Sequence, residues 1–182
     1  MEKDRERCSD LEDLKSEFLE RSITIQNSDA NEFLASFSRD WDRCRGVLFL
    51  DPFGAELEWR TLERIAGFNA LDAWILVPVA TIARMLPTRR EPDEISDQWS
   101  QRLTKIYGGE SWRGLYRNDP QQVLFGEASR IRTPGIDDLV RIYKKQLRTL
   151  FGIRLLERSC QLKNSKNVVL YEFMFCVGSP DC

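Results

Sequence analysis

A short stretch at positions 48–54, LFLDPFG, combines residue types that could hold a flat ring carrying an amine. An apolar run ends there in Asp51, Pro52 and Phe53, followed by a glycine. A carboxylate accepts the hydrogens of an amine and an aromatic side chain stacks on a ring, as in enzymes that hold an extruded base. The same residues are also typical of a plain turn, in which Asp51 caps the next helix or loop and Phe53 packs. The stretch by itself leaves both interpretations open.

Composition excludes several other kinds of chemistry. The 182 residues include no histidine, which excludes Ser–His or Cys–His nucleophiles, histidine bases and histidine-ligated metals within this chain. The five cysteines are scattered without a CxxC pair, so we expect reduced thiols and no zinc site. A net charge of −2 argues against a surface coated by nucleic acid. A local basic face remains open, formed by Arg141, Lys144, Lys145, Arg148 and Arg154, although a solvated helix face explains these residues equally well.

The elements that must position these residues follow from hydrophobic patterning. Apolar residues three and four apart predict an amphipathic helix over 4–19, and alternation at 22–26 predicts a short strand. Asp29 is the expected N-cap of the next helix. The apolar runs at 46–50 and 71–77 are typical of strands buried on both faces of a parallel sheet, with a helix between them. This alternation predicts a three-layer α/β domain.

The pattern changes after the second of these strands. Residues 79–150 give no strand signal, so we predict a helical insertion there. Its helices are expected near 82–86, 95–107 and 135–150. Strand patterns return at 152–156 and 168–177, with a turn at 164–167 between them.

A family resemblance covers nearly the whole chain. It lies in four ordered blocks, FLDPFGAELEWRTLERIA, LDAWILVPVATIARMLP, LYRNDPQQVLFGE and YKKQLRTLFGIRLLE. These blocks resemble the three-Cys-motif partner protein family (TcmP). The resemblance implies a single Rossmann-like, methyltransferase-type domain over 1–182, similar to class I S-adenosylmethionine-dependent methyltransferases, with the insertion at 79–150 between strands five and six. It also implies a partner, a three-cysteine-motif protein that looks like a radical-SAM iron–sulfur protein.

The start of the chain departs from the family pattern. MEKDRERCSDLEDL resembles the end of strand two and the helix after it. The first strand and the glycine-rich turn, which meets the methionine end of the cofactor, are therefore expected to be missing. In the methyltransferase strand order 3-2-1-4-5-7-6, this loss would leave a gap of roughly 10 Å beside the strand at 46–50. We accordingly expect an incomplete fold that binds S-adenosylmethionine weakly or not at all and is inactive alone.

Five residues carry the roles that the resemblance implies. Glu2 would bind the cofactor ribose, and Asp29 would face the adenine amino group. Asp51, Pro52 and Phe53 would face the substrate, although DPFG lacks the second proline of the Asp/Asn-Pro-Pro-aromatic turn in amino-methyltransferases. Each acid also has a plainer interpretation, Glu2 as a solvated charge at a helix start and Asp29 as a helix cap.

Two alternatives to an enzyme stay open. One is a non-catalytic partner subunit that keeps the methyltransferase shape. The other is a nucleic-acid-binding subunit that uses the basic face. No apolar run is long enough to cross a bilayer and the first residues are charged, so we expect a cytoplasmic protein that does not enter the membrane.

Overall fold

The computed structural model of the protein describes residues 1–88, 91–118, 130–132 and 135–179. The chain divides into two compact units, Met1–Arg39 and Asp40–Cys182, and each is described by itself. The helices are α1 (Arg5–Lys15), α2 (Ala30–Ser36), α3 (Trp59–Phe68), α4 (Val79–Met85), α5 (Asp97–Tyr107) and α6 (Ile136–Phe151). The strands are β1 (Gly46–Leu50), β2 (Leu71–Val77), β3 (Tyr116–Asn118), β4 (Arg130–Arg132), β5 (Cys160–Lys163) and β6 (Val169–Cys176). No helix in the described ranges has both the length and the apolar character needed to span a membrane.

The first unit holds two helices and one backbone bridge. Asp4 caps α1 and Asp29 caps α2, each through a carboxylate that accepts hydrogen bonds from the second and third backbone N–H groups of its helix. The N-cap predicted for Asp29 is therefore confirmed. The strand predicted at 22–26 is wrong, because these residues form no strand; the one bridge nearby, a parallel pairing of Glu2 with Asn27, comes directly after them. A strand needs a partner along its length to form a ladder.

The second unit is built on a four-stranded mixed sheet in the order β1-β2-β6-β5. β1 and β2 run parallel, with Leu50 opposite Ile75 near their carboxyl ends, and α3 connects them. β6 runs antiparallel to both β2 and β5. The prediction of an α/β fold is confirmed, as far as the fold class is concerned.

Helices α3, α4 and α6 pack on one face of this sheet. The strand residues that point to them are buried: Ala73, Ile75 and Met174 are at most 1% exposed. Leu62 of α3 and Leu147 of α6 are fully buried. The core of the second unit therefore lies between the helices and this face.

The opposite face of β1 is exposed. Val47 and Phe49 are 68% and 62% exposed, so the prediction that the 46–50 strand is buried on both faces is wrong. β1 is an edge strand, and the helices named above all lie on the other side of the sheet. An apolar run allows a strand to be buried on both faces. Burial of the second face also requires an element that packs against it, and the run does not indicate whether one is present.

Two strands occur where the sequence predicts only helices. β3 and β4 form an antiparallel pair, with Tyr116 opposite Arg132, so the absence of strands predicted for 79–150 is wrong. Each strand has three residues, too few for an alternating pattern to stand out. The three helices predicted in this segment are confirmed as α4, α5 and α6.

The strand predicted at 152–156 is also wrong. Gly152 ends α6 with a φ of 56° and opens a 3-10 helix, Gly152–Arg154. Leu155 then makes only an isolated bridge to Cys176. The strand at the edge beside β6 is β5, whose four residues are all exposed. Because β5 buries no apolar side chain, its sequence has no alternation to detect.

Candidate functional site

The turn predicted to meet a substrate directly follows β1. Asp51 and Phe53 are exposed, Phe53 to 78%, and Gly54 has a φ of 63°, in the left-handed region that favours glycine. Helix α3 begins only at Trp59, with Glu58 at its N-cap position, so Asp51 does not cap it. Both side chains therefore lie outside the core, beyond the carboxyl end of β1. α/β proteins bind ligands at this end of their strands.

A narrow apolar cleft lies beside this turn. Pro52 forms part of its wall, together with Val77 and Pro78 at the end of β2 and Tyr143 of α6. The space open to the centre of a water-sized molecule is about 10 Å³, roughly the room that a single water needs. In this conformation the cleft does not admit a ring.

The phenol at the cleft wall is neutral. Burial raises the pKa of Tyr143 above its usual value, and the neighbouring Cys176 adds to that effect. Burial also raises the pKa of Cys176 to about 12, although the charge of Arg154 acts in the opposite direction. Neither group carries charge near neutral pH, so Tyr143 supplies packing surface to the cleft and no general base.

The two acids of the first unit are brought together by the backbone bridge. The N–H of Glu2 donates to the carbonyl of Gln26 at 3.0 Å, and the carbonyl of Glu2 accepts from the N–H of Ser28 at 3.0 Å. Asp29 is the next residue, and its carboxylate lies 3.8 Å from the Nζ of Lys3. The parallel bridge therefore places Glu2 beside the residues that lead into Asp29.

Backbone N–H groups already occupy one oxygen of each acid. Oε1 of Glu2 accepts from the N–H of Asp4 at 2.8 Å, and Oδ1 of Asp29 accepts from the N–H groups of Asn31 and Glu32 at 2.8 and 3.3 Å. Burial alone would raise the pKa of Asp29, but these backbone hydrogen bonds and a nearby lysine together bring it below its usual value of 3.8. Asp29 is therefore a carboxylate near neutral pH and can accept further hydrogen bonds.

The candidate residues form two groups, one in each unit. Glu2 and Asp29 lie together in the first unit, and Asp51, Pro52 and Phe53 are consecutive in the second.

The basic residues of α6 are partly neutralised by their neighbours. Arg141 forms an ion pair with Asp138 at 2.8 Å, and Arg148 pairs with Glu157. Lys145 is exposed. The net positive charge of this face is therefore smaller than the sequence indicates.

Arg154 does not belong to that face, which corrects its predicted place. It lies in the 3-10 helix after α6, and its guanidinium donates to the backbone carbonyls of Ala66 and Gly178, each at 3.1 Å. It also donates to the carbonyls of Leu150 and Phe151 at the end of α6. Arg154 therefore joins α3, α6 and the segment after β6.

A polar cluster that the sequence does not single out lies between α6 and β6. Glu172 is 3% exposed, and the hydroxyl of Ser159 donates to its Oε1. The Nζ of Lys144 donates to Ser159 Oγ at 2.5 Å and to the carbonyl of Glu157 at 3.0 Å. Oε2 of Glu172 is buried without a hydrogen-bond partner in the described part of the chain. The one sign of this cluster in the sequence is Glu172 itself, a glutamate that interrupts the apolar pattern of β6.

Comparison of the chain with protein-family models, with curated proteins and with solved structures finds no match. Within the described ranges, no three His, Cys, Asp or Glu side chains converge as metal ligands would. Functional assignment therefore depends on the geometry described above and on the resemblance in the sequence.

Proposed function

We propose that this chain is a methyltransferase-type domain of the three-Cys-motif partner family. In the intact form of such a domain, a methyl group passes from S-adenosylmethionine to an acceptor that carries an amine. The proposal includes a cytoplasmic location and a three-cysteine-motif protein, similar to radical-SAM proteins, as partner. The observation that carries it is the strand order of the sheet together with the position of Asp51.

The strand order supports the methyltransferase assignment. The strand order of the sheet is β1-β2-β6-β5. β6, the last of these strands along the chain, is therefore an inner strand, and β5, the strand before it, lies at the edge. The methyltransferase order 3-2-1-4-5-7-6 ends in the same way, if β1 corresponds to strand four and β6 to strand seven. In that correspondence, Asp51 directly follows strand four, which is where the substrate turn of the amino-methyltransferases lies.

The exposed groups of the turn suit an acceptor with an amine on a flat ring. Asp51 follows β1 and is exposed, so its carboxylate can accept the amine hydrogens. Phe53 is 78% exposed, and its ring offers a stacking surface. A carboxylate that holds an amine through its hydrogens also orients the nitrogen lone pair, which is the group that must attack a methyl donor.

The two acids of the first unit fit the nucleoside half of S-adenosylmethionine. When bound, this cofactor supplies a methyl group on a positively charged sulfur. Asp29 is ionised, and its Oδ2 takes no part in capping α2. This oxygen lies 3.8 Å from the Nζ of Lys3, and because a carboxylate oxygen has two lone pairs it can also accept from the adenine amine. Glu2 lies beside it and is only half-buried, which suits a carboxylate that accepts from ribose hydroxyls.

A non-catalytic partner subunit is the second candidate, and the cleft favours it. With about 10 Å³ of open space beside Pro52, the site must open before a ring can enter. The turn also lacks the second proline of the amino-methyltransferase motif. A domain that kept the fold and lost the reaction would have these two features.

Binding of free adenine tests the acceptor turn. Adenine has a ring amine, whereas hypoxanthine has a carbonyl at the same position, and a site built around an amine rejects the analogue that lacks it. In an NMR titration at millimolar concentration, we expect adenine to shift the amides of Leu50, Asp51, Phe53 and Gly54, and hypoxanthine to shift them much less. Asp51→Ala should remove the difference between the two compounds.

Asp42→Ala is the matched control, because Asp42 is an exposed acid in another turn of the same unit. It should leave the preference for adenine unchanged. Equal shifts with both compounds, or a preference that survives Asp51→Ala, would contradict the acceptor role and favour the non-catalytic subunit.

A further inference from the structure

One face of the four-stranded sheet presents an uncovered cluster of large apolar side chains. We name it the aromatic sheet face and define it by Val47, Phe49, Trp74, Phe173 and Phe175. Strand register places all five on the same side, because Phe49 is opposite Trp74 and Trp74 is opposite Phe175. Val47, Phe49 and Trp74 are 68%, 62% and 36% exposed.

The rings of this face are already ordered against one another. Trp74 stacks on Phe173 with ring centroids 4.9 Å apart and lies 4.2 Å from the ring of Phe175. Phe49 contacts Phe173 at 5.9 Å. Side chains that are fixed in advance lose little rotamer freedom when a partner covers them.

The aromatic sheet face extends across the whole width of the sheet. Leu162 of β5 extends it to a fourth strand, since it is opposite Tyr171 on the same side and is 41% exposed. Four strands about 4.8 Å apart and about six residues long cover roughly 19 by 20 Å, or nearly 400 Å² in projection. The largest apolar patch of a monomeric protein is usually about 300–600 Å² and often serves a function. Two such faces together measure nearly 800 Å² in projection, close to the roughly 1,000 Å² that a specific interface buries at least.

The charge pattern of the face suits self-association. On this side of β1, β2 and β6, the described residues include one charged side chain, Asp72, and its Oδ1 accepts from the N–H of Gly178 at 2.7 Å. On β5, Lys163 is opposite Val169, at the rim of the face. A twofold interface brings each side chain near the same patch of its partner, so a charged face would repel itself. This face has an uncharged centre, and two copies can meet there without that repulsion.

We propose that the aromatic sheet face binds a second copy of this chain, forming a twofold dimer in which two sheets pack face to face. Sheets in such packings lie about 10 Å apart and interdigitate their side chains. The interface is isologous: Phe49 and Trp74 of one copy fill the spaces between the rings of the other. Closure around the twofold axis occupies this face in both copies, so the face recruits no further copies.

Sedimentation equilibrium of the 182-residue chain over a wide concentration range tests this dimer. We expect twice the mass of one chain for the wild type at high concentration. Phe49→Lys should weaken association at least about 100-fold, because twofold symmetry places two buried lysines in one interface. Ile153→Lys should leave association unchanged, since Ile153 is 89% exposed and lies in the 3-10 helix after α6.

Val47→Lys provides the same test at a second position, should Phe49→Lys fail to fold by circular dichroism. Lysine is common on edge strands such as β1, and Val47 is the more exposed of the two residues. A wild type that stays monomeric at every concentration overturns the dimer. A dimer that survives both face variants, or that Ile153→Lys also dissociates, overturns it as well.

Discussion

The hydroxyl of Ser159 donates to the buried carboxylate of Glu172 and thereby ties the start of β5 to the inner face of β6. Ser159→Ala would leave Glu172 without a hydrogen-bond donor among the described residues, because Oε2 already lacks one. An unsatisfied buried polar group costs about 1–3 kcal/mol. We expect Ser159→Ala to lower the free energy of unfolding by that amount in urea.

Ser165→Ala is the control for this prediction. Ser165 is exposed in the turn between β5 and β6, so its loss should change stability by less than about 0.5 kcal/mol. Equal effects of the two substitutions would show that the hydroxyl of Ser159 does not stabilise Glu172.

Two aspartates with different surroundings predict opposite responses to alanine. Asp29 caps α2 with two backbone hydrogen bonds, so Asp29→Ala should destabilise that helix by about 0.5–2 kcal/mol. Asp51 caps no helix, so Asp51→Ala should change stability by less than about 0.5 kcal/mol. Urea unfolding followed through amide signals of each unit measures both effects. A large loss of stability in Asp51→Ala would restore the interpretation of this residue as purely structural.

The pKa of Asp29 predicts a pH dependence confined to acid. The pKa is lower in the folded state than its usual value of 3.8, so the ionised carboxylate adds stability above that value and loses it as pH falls through the folded-state pKa. Asparagine keeps a capping side chain without the charge. We expect the stability difference between wild type and Asp29→Asn to stay constant above about pH 5 and to shrink as the pH falls below about 4. A difference that does not shrink would show that ionisation of Asp29 does not contribute.

Cysteine labelling should separate two thiols of the second unit. Cys176 is fully buried, and burial raises its pKa to about 12, so at pH 8 it is protonated and inaccessible. Cys160 is exposed. Iodoacetamide followed by peptide mass spectrometry should modify Cys160 in the native protein and Cys176 only after unfolding. Equal rates at the two thiols would contradict the placement of β6 in the core.

Elements with strong local signals could be predicted from the sequence. The apolar stripe of α6 and the N-cap of α2 are visible in the residues themselves. The turn before β6 is another such element, since Asn164 Oδ1 accepts from the N–H groups of Lys166 and Val168. Its side chain replaces a backbone acceptor, which is why asparagine marks such turns.

Features that depend on distant partners could not be predicted. The alternation at 22–26 suits a strand, but the one bridge nearby in the first unit, between Glu2 and Asn27, comes directly after it. The exposure of Phe49 and the burial of Glu172 likewise depend on which face the helices cover. Spacing within a segment does not contain that information. For the candidate site, the sequence predicted that Asp51 and Phe53 lie at the end of β1, but not the narrowness of the cleft beside them.

Titration of the chain with S-adenosylmethionine, followed by amide NMR, tests the proposed function most directly. We predict weak binding, with a dissociation constant above about 100 μM. The shifts should occur at Glu2, Asn27 and Asp29, should be lost in Glu2→Gln, and should persist in the control Glu12→Gln, whose glutamate lies on α1. No shift up to about 5 mM, or shifts that Glu2→Gln leaves unchanged, would contradict a methyltransferase-type cofactor site in this chain.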